Sequence, residues 1–117
     1  MYLNIPSLVT VLGLAAMASA DSMAVSSNCN LYGYCRRSGQ FTTANGVYSV
    51  DAAEGCRSTS VPGMIEFCVD WGRNRAHFKF QGWTGKSCLA VSSHKVLNCG
   101  PTAYCAYTEF TPVKCSW

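Results

Sequence analysis

Eight cysteines behind an apolar leader are the strongest constraint on how this 117-residue chain can fold. An even number of cysteines in a small exported protein is typical of a disulfide framework, because the domain has too little core to be stable alone. We therefore expect four disulfides, and the sequence does not choose among the many possible pairings. The cysteines are Cys29, Cys35, Cys56, Cys68, Cys88, Cys99, Cys105 and Cys115.

The first twenty residues have the pattern of a signal peptide. No charged side chain precedes Asp21, residues 8–16 are apolar, and residues 18–20 are small, as a signal peptidase requires. The apolar run is shorter than the about 20 residues that a membrane anchor needs. The sequence thus predicts a signal peptide at 1–20, no membrane anchor, and one disulfide-stabilised, secreted domain at 21–117.

A β-hairpin is predicted in the middle of that domain, with strands at residues 64–71 and 76–81. Centring the turn on residues 72–75 places Val69 opposite Phe78 on an apolar face and Asp70 opposite His77 on a polar face. A register one residue away would mix the two faces.

Other local signals also indicate short strands. Asn45-Gly46 is a strong hairpin signal, whereas residues 51–54 carry a capping pattern that predicts one helical turn. Residues 21–27 are small and polar and are expected to form a loose terminus. The predicted fold is mainly β, a small disulfide-rich antiparallel sandwich or barrel with at most one short helix. A compact α+β arrangement is the alternative.

Composition argues against several functional classes. The net charge of +3 is too weak and too scattered for a nucleic-acid binder. The chain contains no Cys-x-x-Cys pair, the spacing typical of zinc sites. It also contains no glycine-rich loop of the kind that binds the phosphates of a cofactor. We expect no metal, no cofactor, no nucleic-acid partner, no enzymatic activity and a monomeric protein.

One enzymatic alternative remains open. Glu66, Arg75 and His94 supply a base, a cationic stabiliser and an acid, in an order that resembles the later catalytic residues of secreted fungal ribonucleases. That family has a further histidine before the glutamate, and this chain has none there.

Recognition is the more strongly indicated role. Aromatic and arginine side chains are enriched at binding interfaces, and loops carry function more often than strands. The candidate binding residues occupy the predicted turn and the glycine-flanked loop at 82–86: Arg73, Asn74, Arg75, Trp83 and Lys86. Tyrosines near the cysteines, which also suit recognition, are Tyr32, Tyr34, Tyr104 and Tyr107.

Taken together, the leader, the eight cysteines, the short mature chain and the mild positive charge resemble the small secreted cysteine-rich proteins of filamentous fungi. Many members of that class are effectors. The resemblance implies a non-enzymatic protein, in the host apoplast or translocated into host cells, that binds a host protein or a cell-wall glycan. An antimicrobial or killer-type toxin is a second possibility.

Overall fold

A computed structural model describes residues 21–117, which form one antiparallel sheet that curls into a half-barrel. The predicted signal peptide lies outside the described residues. The strands, in chain order, are β1 (Ser22–Asn30), β2 (Cys35–Thr43), β3 (Gly46–Asp51), β4 (Gly55–Arg57), β5 (Met64–Asp70), β6 (Arg75–Phe80), β7 (Ser87–Leu97) and β8 (Ala103–Val113). Their order across the sheet is β3-β2-β1-β8-β7-β6-β5-β4.

The core fills the concave face of this curled sheet. Phe41 on β2 is fully buried, and its ring meets the rings of Phe67 and Phe78 edge-on, with centroids 6.1 and 4.9 Å apart. Because β2 lies on one side of the curl and β5 and β6 on the other, these contacts join its two sides. The mainly β prediction is confirmed in its barrel-like form. Among residues 21–117 the structure contains no α-helix, which removes the α+β alternative.

All eight cysteines are paired, as predicted. Two disulfides close the ends of hairpins, Cys29–Cys35 between β1 and β2 and Cys99–Cys105 between β7 and β8. Cys56–Cys68 joins directly opposed residues of β4 and β5, and Cys88–Cys115 ties β7 to the tail that follows β8. Removing one native bridge from a domain of this kind typically costs about 2–5 kcal/mol.

The central hairpin forms in a different register from the predicted one. Val69 lies opposite Ala76 and Phe67 opposite Phe78, because the chain turns one residue earlier than expected. Residues Trp71–Arg73 form a 3-10 turn, Asp70 caps it by accepting a hydrogen bond from the Arg73 N–H, and Asn74 adopts a left-handed conformation. The register moves by two residues, so the apolar and polar faces are preserved.

The predicted helical turn at residues 51–54 is wrong. The Trp71 indole N–H donates to the Ala52 carbonyl at 2.8 Å, and the Arg57 guanidinium donates to the Ala53 and Glu54 carbonyls. These carbonyls therefore accept hydrogen bonds from side chains and not from the backbone N–H groups of a helical turn. Ala52 is fully buried, and residues 52–54 form an irregular connection between β3 and β4.

The expectation of a loose terminus at 21–27 is also wrong, because this segment begins β1 near the middle of the sheet. Met23 and Val25 are buried in the core, while the alternate positions face outward. Small outward residues such as Ala24 and Ser26 hid the alternation from the sequence pattern. The strand is paired along both edges, with β2 on one side and β8 on the other.

Removing the Phe41 ring should destabilise the whole domain. We expect Phe41→Ala to lower the free energy of unfolding by about 3–5 kcal/mol, because it leaves a cavity between the two sides of the curl. Val47→Thr, on an exposed position of the neighbouring β3, should change it by no more than about 0.5 kcal/mol. Denaturant titration of the oxidised proteins measures both values, and equal effects would contradict the assigned core.

Candidate recognition surface

The five predicted binding residues do not form one site. Arg73, Asn74 and Arg75 lie at the β5–β6 turn, whereas Trp83 and Lys86 lie at the β6–β7 turn, at the opposite end of β6. Strand geometry separates the two turns by roughly 17 Å, at about 3.3 Å per residue. A single small ligand would not contact both groups.

At the β5–β6 turn, the cations already have intramolecular partners. The Asp70 carboxylate lies 3.4 Å from the Arg73 guanidinium and 3.5 Å from that of Arg75. The Arg75 guanidinium also lies over the ring of Trp117, 4.7 Å from its centroid. Only Arg73 and Asn74 are largely exposed, so this turn offers one accessible cation to a ligand.

At the β6–β7 turn, Trp83 serves partly as a cover for the core. Its ring centroid lies 5.1 Å from that of Phe80, and 39% of the residue remains exposed. Lys86 is half-buried and lines a depression of about 320 Å³ together with Asp21. Partial burial raises the pKa of the Asp21 carboxyl above its ordinary value.

The three residues of the ribonuclease alternative do not converge. The Glu66 carboxylate lies 2.9 Å from His77 Nε2, and Arg75 faces Asp70. His77 pairs with Cys88 on β7, and His94 lies roughly 20 Å farther along that strand at about 3.3 Å per residue. The predicted register paired His77 with Asp70, whereas the observed register pairs it with Cys68 and brings its ring within hydrogen-bond distance of Glu66.

Glu66, Cys68 and His77 form the cluster whose donor atoms come within 4.8 Å of one another. Cys68 is bonded to Cys56 in a disulfide, so its sulfur is not available as a thiolate ligand. Two donors remain, fewer than the ligand sets of protein zinc sites.

A different surface lies at the end of the sheet where four strands extend beyond the others. β3 leaves β2 after the Ser38–Asp51 pair, and β6 leaves β7 after the Arg75–Ala90 pair. The remaining strands β2, β1, β8 and β7 continue as what we call the four-stranded extension, residues 27–37 and 96–106. It ends in two turns, residues 31–34 and 98–102, which the Asn30–Ala103 pairing sets side by side.

The first of these turns is held rigidly. The Asn30 side-chain oxygen accepts hydrogen bonds from the Tyr32 and Tyr34 N–H groups at 2.9 and 3.1 Å. Gly33 has a φ of +88°, which a residue with a side chain adopts only at a cost, and its N–H donates to the Asn30 carbonyl. The Cys29–Cys35 disulfide closes the turn from below.

Large apolar side chains are concentrated at this end of the sheet. Leu31, Tyr32 and Tyr34 are 71%, 86% and 74% exposed. The second hairpin adds further exposed residues at the same end of the sheet, where Val96 and Leu97, as consecutive strand residues, face opposite sides. We call the whole set the hairpin-tip surface: Leu31, Tyr32, Tyr34, Val96, Leu97 and Tyr104.

Tyr104 is also fixed in place. Its hydroxyl lies 3.1 Å from His94 Nε2, and His94 Nδ1 lies 2.7 Å from the hydroxyl of the buried Thr108. The sequence indicates these tyrosines as recognition residues, but it predicts the binding site in the β5–β6 and β6–β7 turns. The available signal was the repeated spacing of Asn-Cys, five residues and Cys at 28–35 and 98–105, which marks two disulfide-closed hairpins.

Comparison with known proteins returned no relative. No protein-family model matches the chain, and neither the curated proteins nor the solved structures include a match. Within residues 21–117, no helix has the length and apolar character needed to span a bilayer.

Replacing Glu66 should leave the rate of RNA cleavage unchanged. Because Glu66 lies beside His77 and far from His94, we expect wild type and Glu66→Gln to cleave a fluorescent oligoribonucleotide at the same background rate. His94→Asn tests the second candidate residue in the same way, since His94 hydrogen-bonds within a separate cluster. Activity in the wild type that is lost in both variants would contradict this expectation.

Proposed function

We propose that the protein is a secreted, non-enzymatic binding protein that recognises a host protein through the hairpin-tip surface. The observation that carries the proposal is the exposure of Leu31, Tyr32 and Tyr34 in one rigid turn. Large apolar residues grouped at the surface commonly mark interaction sites.

Rigidity makes this surface suited to binding. A partner that docks on a mobile loop must offset the entropy lost when the loop is ordered. Here the Asn30 hydrogen bonds and the Cys29–Cys35 disulfide have ordered the turn in advance. The free energy of burying the exposed rings on binding is then largely retained as affinity.

The composition of the surface favours a protein over a polysaccharide as its partner. It combines aliphatic side chains, Leu31, Val96 and Leu97, with tyrosines, and such a mixture is typical of the central part of protein interfaces. Arg36 follows on β2 and is exposed, which adds a side chain that is frequent at interaction hot spots.

Secretion and the effector role are supported by features outside the hairpin-tip surface. Four intramolecular disulfides are typical of extracellular proteins. Together with the leader-like residues 1–20, they support secretion, and the class resemblance to fungal cysteine-rich proteins supports a partner in a host organism.

Variants of the tip test this function. A partner recovered from host extract on the immobilised, oxidised protein is expressed separately, and its Kd is measured for each variant by interferometry. We expect the double change Leu31→Ser and Tyr32→Ser to raise the Kd at least about tenfold, because hot-spot truncations cost over about 1.4 kcal/mol. Val47→Ser, at an exposed apolar position on β3, should leave the Kd within about twofold.

Several results would contradict the proposal. A Kd that is unchanged in the tip variant would place binding elsewhere, and an equal loss in the Val47 variant would show that the contact is non-specific. Leakage of dye from lipid vesicles treated with the wild type, lost in the tip variant, would indicate a membrane-active toxin.

A further inference from the structure

A shallow channel runs along the outer face of the sheet over β1. The outward side chains of this strand are small or short: Ser22, Ala24, Ser26, Asn28 and Asn30. The flanking strands present larger groups opposite them. Gln40 on β2 and Glu109 on β8 both pair with Ala24, and Tyr107 on β8 pairs with Ser26. We call this channel the outer trough, meaning the five outward residues of β1 and their flanking partners.

Two depressions lie in line along the outer trough. One, of about 420 Å³, is lined by residues that include Ser26, Gln40, Tyr107 and Glu109. The other, of about 440 Å³, lies nearer the tips and is lined by Asn28, Asn30, Tyr34, Cys35 and Arg36. At about 3.3 Å per residue, β1 gives the trough a length of roughly 26 Å. Such a shape accommodates an extended chain better than a compact small molecule.

The lining of the trough is polar but nearly uncharged. Its outward groups are hydroxyls and amides from serine, asparagine and glutamine, with the partly exposed ring of Tyr107 among them. Arg36 and Glu109 carry opposite charges, and neither takes part in an ion pair within residues 21–117. A polyanion would be expected to require an excess of cations, which this trough does not have.

An extended peptide is a poor fit. Peptides that bind sheets usually add a strand to a free edge, and β1 is paired along both edges. No aliphatic side chain larger than that of Ala24 projects outward from β1 to hold an apolar peptide residue. Sugar rings have the complementary chemistry, with hydroxyls for amide and carboxylate groups and an apolar face for an aromatic ring.

We propose that the outer trough binds an extended, uncharged polysaccharide. One sugar ring stacks on Tyr107, and the amides of Asn28 and Gln40 and the carboxylate of Glu109 hydrogen-bond to sugar hydroxyls. Tyr34 and Arg36 border both the trough and the hairpin-tip surface, whereas Leu31 and Tyr32 lie outside the trough lining. Polysaccharide binding in the trough therefore does not depend on Leu31 and Tyr32, which would remain accessible while the protein is held at a cell wall.

Sedimentation with insoluble polysaccharides tests the proposal. The oxidised protein is mixed with cellulose, chitin, β-1,3-glucan or xylan, and with immobilised polygalacturonate as the anionic comparison. We expect retention on at least one uncharged polymer, unchanged in high salt, because the contacts are not ionic. The double change Tyr107→Ala and Gln40→Ala should weaken retention about tenfold or more.

Two further variants keep the result interpretable. Ser26→Tyr fills the trough at its exposed centre without removing any proposed contact, and it should also abolish retention. The tip variant Leu31→Ser, Tyr32→Ser should bind polysaccharide as the wild type does. Circular dichroism and the mass of the oxidised protein establish that each variant is folded with its disulfides intact.

Three outcomes would overturn the proposal. The first is no retention on any uncharged polymer, and the second is retention by the folded Ser26→Tyr variant equal to that of the wild type. The third is retention on polygalacturonate alone that disappears in high salt, since this would indicate ionic attraction by the net positive charge. Failure of the tip variant to bind its protein partner leaves each of these results unaffected.

Discussion

The contact of the Phe41 ring with Phe67 and Phe78 is the interaction on which the rest of the structure depends. A single antiparallel sheet has one face to bury, and a sheet this small has no second layer to cover it. Curling brings β2 over β5 and β6, so the sheet covers its own apolar face. The buried rings interlock edge-on, an arrangement that adds stability beyond the area they remove from water.

That core occupies only part of the sheet, and the disulfides are arranged accordingly. Cys56–Cys68 and Cys88–Cys115 brace the half-barrel, where β4 and the tail after β8 have few other attachments. Cys29–Cys35 and Cys99–Cys105 brace the four-stranded extension beyond the core. Covalent bonds therefore replace burial at the tips, which allows Leu31 and Tyr32 to stay exposed on an ordered backbone.

Alternation along β1 connects this architecture to both proposed binding surfaces. The inward residues Met23 and Val25 belong to the core, and the outward residues form the floor of the outer trough. The same strand continues into the turn that carries Tyr32. A central strand with a small, polar outer face has a weak sequence signal, because serine, alanine and asparagine also occur in loops. This explains why its first half was expected to be a loose terminus.

Several features followed from the sequence because they depend on local chemistry. The period-2 separation of apolar and polar residues predicted the β5–β6 hairpin with the correct faces, and Asn45-Gly46 predicted the β2–β3 turn. The number of cysteines predicted that all would be paired. The exact register was not determined, since a shift of two residues preserves both faces and only the Asp70 cap and the Asn74 conformation select between the alternatives.

Tertiary structure decided the features that join distant parts of the chain. Trp71 drew the carbonyl of Ala52 away from a helical turn, and the curl of the sheet chose the disulfide partners. Pairing of β1 with β8 brought two hairpin turns together that are about seventy residues apart in the chain, which sequence spacing alone does not reveal. The sequence by itself determined a cross-linked β domain with aromatic loops. Only strand order, a property of non-local hydrogen bonds, determined which of those loops form a common surface.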